Sequence, residues 1–311
     1  LKSFNNLSAF KTPSNKTVVT IGTFDGVHIG HKYVLRKVIQ LAQDNNYKST
    51  VLTFFPHPRM VLQQDSSIKL LNTIQEKESL LSELEIENLI IHPFDLDFSR
   101  LSAEDFIKEI LVEKLNVGII IIGHDHRFGR NRTATINDLI EYGKEYGFDV
   151  QEISAKEIDD IAISSTKIRT ALIEGDIYKA TKYLGYNYFI SGKIVAGKKI
   201  GRTIGFPTAN IEVSEDYKLI PKNGVYIVSS TINNVKYFGM MNIGVNPTVE
   251  GLEQKIEVHF FDFNKDVYNK DIKIEIYSRI RDEKKYNSLE ELKTQLKKDE
   301  LISREFIINN L

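Results

Sequence analysis

The chain has 311 residues, of which 41% are hydrophobic and 27% charged, with a formal net charge of −1. That is the composition of a soluble globular protein with room for two domains. It contains no cysteine, which excludes disulfides, thiolate nucleophiles and cysteine-bound zinc. The near-neutral charge argues against a broad nucleic-acid-binding surface, and no stretch approaches the ~20 apolar residues of a membrane helix. Leu1-Lys2-Ser3-Phe4 lacks the apolar core of a signal peptide, so the expected compartment is the cytoplasm, and Leu1 suggests a trimmed start.

In chain order, short apolar runs at 18–21, 51–55, 89–92 and 118–123 alternate with helix-like segments. Ser102-Ala103-Glu104-Asp105 is a helix-start pattern, followed by Phe106, Ile107, Ile110, Leu111 and Leu115 at helical spacing. This alternation predicts a parallel α/β sheet with ligands beyond the carboxyl ends of its strands. After Tyr183-Leu184-Gly185-Tyr186 the pattern changes to alternating strands at 189–195, 225–232, 235–241, 255–263 and 272–280. Asn233-Asn234 has the form of a two-residue hairpin turn, and the strand set predicts a small antiparallel barrel. Ser288-Leu289-Glu290-Glu291 predicts a capping box on a terminal helix, with Leu289, Leu292 and Leu296 on one face. The expected division is 1–185 and 186–311.

The strand at 18–21 runs into Gly22-Thr23-Phe24-Asp25-Gly26-Val27-His28-Ile29-Gly30-His31. Two histidines three residues apart share one side of a helix's first turns. The unpaired N–H groups and positive dipole end of that helix suit a phosphate. As metal ligands the histidines would need a third partner, and Asp25 does not complete a standard triad. The string resembles the signature of the nucleotidyltransferase superfamily. In adenylyl transfer charge builds around the α-phosphorus, so catalysis means positioning and charge stabilisation. A helix dipole supplies about 0.3–2 kcal/mol where an enzyme needs about 8 or more, so His28 and His31 must add donors.

Phe55-Pro56-His57-Pro58 ends the second strand and by itself reads as a terminator. Residues 123–132, Gly-His-Asp-His-Arg-Phe-Gly-Arg-Asn-Arg, combine a carboxylate, three arginines and an aromatic. They suit a phosphorylated ring system, or form a solvated basic loop. Ser164, Ser165 and Thr166 stand at a helix start with Arg169 within two turns, as an ordinary cap or a grip on phosphates. Further on, Gly197, Gly201 and Gly205 punctuate a loop expected to be flexible and to wrap phosphates, with Arg202 inside it. Thr208 and Asn210 offer hard oxygen ligands suited to Mg²⁺. Strand alternation puts Glu257 opposite Ile256 and Val258, as a base for a substrate hydroxyl or as a solvent-facing glutamate.

Taken together the chain resembles the bacterial bifunctional riboflavin kinase/FAD synthetase family over nearly its whole length. The segments 22–31, 55–58, 123–132 and 164–169 resemble its adenylyltransferase motifs. Gly201-Arg202-x-x-Gly205-Phe206-Pro207-Thr208-Ala209-Asn210, Gly224-Val225-Tyr226, Asn242-Ile243-Gly244-x-x-Pro247-Thr248 and Glu257-x-His259 resemble its kinase motifs. The resemblance implies a Rossmann-like domain, 1–185, that adenylylates FMN, and a six-stranded barrel, 186–311, that phosphorylates riboflavin. His28 and His31 would stabilise the adenylyl-transfer transition state, with Gly22, Phe24, Asp25 and Gly30 around the nucleotide. Ser164, Ser165, Thr166 and Arg169 would form a second phosphate motif, while Gly197, Gly201, Arg202 and Gly205 would line the kinase nucleotide. The flavin would meet Pro56, His57, Asp125, His126, Arg127 and Phe128. Thr208 and Asn210 would hold Mg²⁺ with ATP, and Glu257 would activate the riboflavin 5′-hydroxyl. The implied partners are riboflavin, FMN, FAD and ATP, with no nucleic acid and no membrane. At position 126 the family usually has phenylalanine, and the exchange to His126 implies altered FMN affinity or pH dependence of adenylylation.

Overall fold

The structure is a computed structural model that describes all residues except 64–66, 124–126, 131–132, 154–162, 198–199, 249–250 and 266. It forms two compact units, Leu1–Ser165 and Thr166–Leu311.

The first unit is built on a six-stranded sheet: β1 (Lys2–Phe4), β2 (Thr17–Ile21), β3 (Lys48–Phe55), β4 (Asn88–Pro93), β5 (Val117–Gly123) and β6 (Asp149–Ile153). The spatial order is β1-β4-β3-β2-β5-β6, and every pairing is parallel. β2 and β5 are buried along nearly their whole length, which explains their largely apolar, β-branched sequences. Helices α1 (Ile29–Asn45), α2 (Pro58–Leu62) and α3 (Ile74–Glu83) follow β2 and β3. Strand order reverses at β2, between β3 and β5, so the turn leaving β2 lies at the switch point where such sheets bind ligands. The edge strands β1 and β6 were not expected from the sequence.

The helix predicted after Ser102 is present with one difference. Ser102 Oγ accepts from the Asp105 N–H at 3.0 Å to start α4 (Ala103–Asp105), which runs on as a π-helix over Phe106–Lys114. Its wider turn keeps Phe106, Ile107, Ile110 and Leu111 in the core, and Leu115 N–H bonds to the Ile110 carbonyl five residues back. Helix α5 (Ile136–Tyr146) precedes β6, and α6 (Ser165–Glu174) and α7 (Ile177–Leu184) follow it.

The second unit holds a closed antiparallel barrel ordered β10-β11-β8-β7-β12-β9. Its strands are β7 (Phe189–Val195), β8 (Ala209–Glu212), β9 (Gly224–Ile232), β10 (Val235–Thr248), β11 (Gly251–Phe260) and β12 (Asp271–Arg281). Asn233 and Asn234 have φ of 51° and 63°, the left-handed pair that a tight hairpin requires. The one-turn helix α8 (Ile200–Thr203) lies between β7 and β8, and α9 (Leu289–Asn310) closes the chain.

Ser288 caps α9 as expected, accepting from Glu291 N–H at 3.2 Å. The Glu291 carboxylate reaches past Ser288 to the Asn287 N–H at 3.1 Å, so the box is one residue wide of its usual form. Leu296 packs against the barrel cluster of Phe206, Val225, Met240 and Phe261, whereas Leu289 is 56% exposed in the first turn. Charge completes the docking: Asp299, fully buried, is held by Arg281 of β12 through Nη2 at 2.7 Å and Nε at 3.0 Å. Arg281→Met should therefore cost about 3–5 kcal/mol in urea denaturation, because it leaves a buried carboxylate with only the Gln295 amide and no counter-charge. Arg281→Met with Asp299→Leu should recover part of that loss, and an additive double variant would contradict this view of the pair.

Candidate active sites

The first site grows from the turn after β2. Phe24, Gly26 and Val27 have φ of 46°, 89° and 36°, so the chain passes through three left-handed residues before α1 begins. A β-branched valine there is strained, and Val27 is fully buried, so surrounding packing holds it. The turn ends at His28, whose Nδ1 accepts from the His31 N–H at 3.3 Å and caps α1. With Nδ1 accepting, the neutral ring carries its proton on Nε2, which is thereby a donor.

The histidines are brought together as predicted. Their rings stack at 3.6 Å between centroids and 18° between planes, and the Phe24 ring meets His31 edge-on at 5.2 Å. Burial pushes His28 down from 6.5 to about 4. Desolvation, with smaller contributions from His28 and Lys77, holds His31 well below its ordinary range. Both imidazoles are therefore neutral near pH 7, and His31 Nδ1 is buried without a partner. Asp25 is not a third ligand beside them. It is buried, and its Oδ1 accepts from the N–H groups of Leu71 and Asn72 at 2.8 and 3.4 Å.

The other residues predicted for this site fall in several places. Gly22 continues the β2–β3 ladder, donating its N–H to the Leu52 carbonyl at 3.1 Å, and Gly30 lies in the first turn of α1. Ser165 Oγ donates to the Asp25 carbonyl at 2.8 Å, within the first unit. Ser164 and Thr166 are exposed and Arg169 is half-buried in α6. Pro56 is exposed after a cis peptide bond, and His57 caps α2 by accepting from Arg59 N–H at 3.1 Å. Arg127 is exposed, whereas Phe128 goes into the hydrophobic core beside Phe106 and exchanges backbone bonds with Ala134. Asp125 and His126 lie outside the described residues.

The second site lies on the barrel. Strand register sets Asn242, Glu257 and Asn210 directly opposite one another on β10, β11 and β8, so their side chains share one face. Ile256 and Val258 are buried on the other face, as alternation predicts. A Cβ added at Gly197 would stand 1.9 Å from Asn210 Nδ2, so the missing side chain is what lets the amide lie against the backbone. The expectation of a flexible loop is corrected at Gly201. It belongs to α8, and its carbonyl accepts from Ile204 and Phe206 N–H at 3.2 and 2.8 Å, closing a tight turn. Arg202 and Gly205 are exposed and Thr208 is half-buried.

His259, quoted only as part of a motif, has a structural part that its sequence does not announce. Its Nδ1 pairs with the Pro207 carbonyl at 2.8 Å and its ring meets Phe206 at 5.2 Å. This holds the segment carrying Thr208 and Asn210 against β11. Strand β8 itself was missed, because four residues after a proline carry almost no strand signal. Among the described residues no group of three or more His, Cys, Asp or Glu could hold a metal ion. The oxygen donors Thr208 and Asn210 fit a hard cation that arrives with a phosphate ligand.

Residues 10–167 match the family model described as FAD synthetase, and residues 184–307 match that of riboflavin kinase. The chain belongs to the bifunctional riboflavin kinase/FMN adenylyltransferase family. It is 40% identical to the protein of that name from Buchnera aphidicola subsp. Schizaphis graminum, over 98% of this chain and 99% of the relative. With the Escherichia coli K12 protein it shares 36% identity over 98% and 97%, and with that of Bacillus subtilis 39% over 93% and 92%. A crystal structure described as a macrolide-efflux protein from Streptococcus pneumoniae superposes with a TM-score of 0.87 at 33% identity, covering 97% of this chain and 98% of that one. No helix among the described residues is long and apolar enough to cross a membrane. An FAD synthetase domain thus precedes a riboflavin kinase domain, on a Rossmann-like sheet and a closed barrel respectively.

The histidine shifts carry a consequence for stability. Below pH 6.5 the unfolded chain binds a proton that folded His28 refuses until about pH 4, so this contribution is full above 6.5 and is lost as pH falls through that window. Urea midpoints should therefore drop more steeply from pH 7 to pH 5 for wild type than for His28→Asn, which keeps the cap. Parallel slopes would contradict a His28 held neutral.

Proposed function

We propose that the two sites act in sequence, the barrel converting riboflavin to FMN and the α/β unit converting FMN to FAD. The observation that carries this reading is the pairing of a neutral, stacked His28–His31 couple at the switch point with the Asn242–Glu257–Asn210 row on the barrel. We assign residues 1–185 to adenylyl transfer and 186–311 to the kinase, in the cytoplasm where ATP is supplied.

In the barrel, Glu257 accepts the proton of the riboflavin 5′-hydroxyl as that oxygen attacks the γ-phosphorus of ATP, giving FMN and ADP. Thr208 and Asn210 would hold Mg²⁺ with the ATP phosphates, where it neutralises charge on the transferring group. Gly197, Gly201, Arg202 and Gly205 line the nucleotide, and His259 keeps Pro207 and Thr208 in register.

In the α/β unit an oxygen of the FMN phosphate attacks the α-phosphorus of ATP and pyrophosphate leaves. His28 donates through Nε2 to the oxygens on which charge develops, and His31 does so beside it. A neutral imidazole suits this task, since its N–H stabilises developing charge without a proton being lost in the ground state. The open end of α1 adds its dipole. Gly22, Phe24, Asp25 and Gly30 shape the cradle, and Ser164 and Ser165 grip the remaining phosphates. Pro56, His57, Asp125, His126, Arg127 and Phe128 are assigned to the flavin side, where Phe128 acts from the core as support for the loop.

Neither reaction needs a covalent enzyme intermediate, so the activities separate by mutation. Glu257→Ala should lower FMN formation by about 10²–10⁴-fold and leave FAD formation from added FMN intact. His28→Ala should lower FAD formation by about 10²–10³-fold and leave FMN formation intact. Loss of both activities from either folded variant would overturn the two-site reading.

A further inference from the structure

One buried cation in the α/β unit has no part in the chemistry just described. Lys77, in the first half of α3, is 4% exposed, and its Nζ donates to the Thr23 carbonyl at 2.7 Å. A buried ammonium on one carbonyl is costly unless a counter-charge or a task keeps it there. Burial pushes Lys77 down to about 8, and Asp25 opposes that shift as the nearby carboxylate.

The surroundings of Asp25 show what this arrangement does. The N–H groups of Leu71 and Asn72, just ahead of α3, bind the Asp25 carboxylate, while Lys77 within α3 binds the Thr23 carbonyl. The turn is therefore fastened to α3 and its lead-in at two points, one on each side of Phe24. α3 is a firm anchor: Thr73 and Glu76 form a reciprocal capping box with bonds of 3.0 and 3.1 Å, and both residues are buried. Phe24, with φ of 46°, cannot relax to an extended conformation while both of its neighbours are held. Its ring is the edge on which His31 rests, and His31 is the face on which His28 stacks.

We propose that Lys77 is a positioning residue of the adenylyl-transfer site: its grip on the Thr23 carbonyl fixes the left-handed turn and, through Phe24, the two imidazoles that meet the α-phosphate. The proposal rests on the adenylyl-transfer reading above and deepens it. A lysine retained only for packing would contribute stability and leave the rings where they are.

The full-length Lys77→Met protein separates these possibilities, because methionine keeps the apolar stem and removes the ammonium. In the folded variant kcat for FAD formation from FMN should fall on the order of 10²-fold, the penalty for a misplaced catalytic group, with KM for ATP little changed. Without any ligand, the imidazole proton signals of His28 and His31 should lose the mutual ring-current displacement that stacking imposes. Wild-type kcat, or unmoved histidine signals, in folded Lys77→Met would overturn the proposal. Should Lys77→Met fail to fold, Lys77→Gln, whose amide ends one atom short of the lysine nitrogen, decides on the same two readouts. Wild-type protein that makes no FAD, with histidine signals that still collapse in Lys77→Met, would sustain the positioning role and sink the adenylyl-transfer reading.

Discussion

The chemistry of the α/β unit depends on a turn that would not hold its own shape. Phe24, Gly26 and Val27 are all left-handed, and two of them carry side chains that disfavour that region. What keeps them there is the pair of buried charges around them. The Asp25 carboxylate takes N–H bonds from the lead-in of α3, and the Lys77 ammonium takes the Thr23 carbonyl from within it. Neither charge would be stable in the interior alone. The parallel sheet places the turn at its switch point, the turn aims α1, and α1 carries the histidines. Each link is cheap only because the previous one is fixed.

The row of polar side chains on the barrel is set by hydrogen bonds and register. Cross-strand pairing alone lines up Asn242, Glu257 and Asn210, since a one-residue slip of an antiparallel ladder would turn every side chain over. The loop ahead of β8 is then pinned at both ends, by the close approach of Gly197 to Asn210 and by the bond between His259 and Pro207.

The sequence makes the strand cores and the motifs legible because burial on both faces and phosphate-binding turns leave local marks. The runs at 18–21 and 118–123 could hardly be anything but central strands, and Asn233-Asn234 announces its hairpin. Elements stabilised by their partners leave no such mark. Lys2–Phe4 is three residues of edge strand, Asp149–Ile153 is half polar, and Ala209–Glu212 becomes a strand only because β7 and β11 flank it. Lys77 shows the limit most clearly. A lysine between Glu76 and Glu78 in the first turn of an amphipathic helix reads as solvent-facing, and only the tertiary fold turns it inward. The wide turns at 106–114 are equally unreadable, since the same apolar spacing serves an α-helix.

The claim that two catalytic sites share this chain is tested most directly by incubating the purified protein with riboflavin, ATP and Mg²⁺ and resolving the three flavins over time. The account predicts that FMN rises first and then gives way to FAD, because the product of the barrel is the substrate of the α/β unit. Absence of FAD even when FMN is supplied would contradict it.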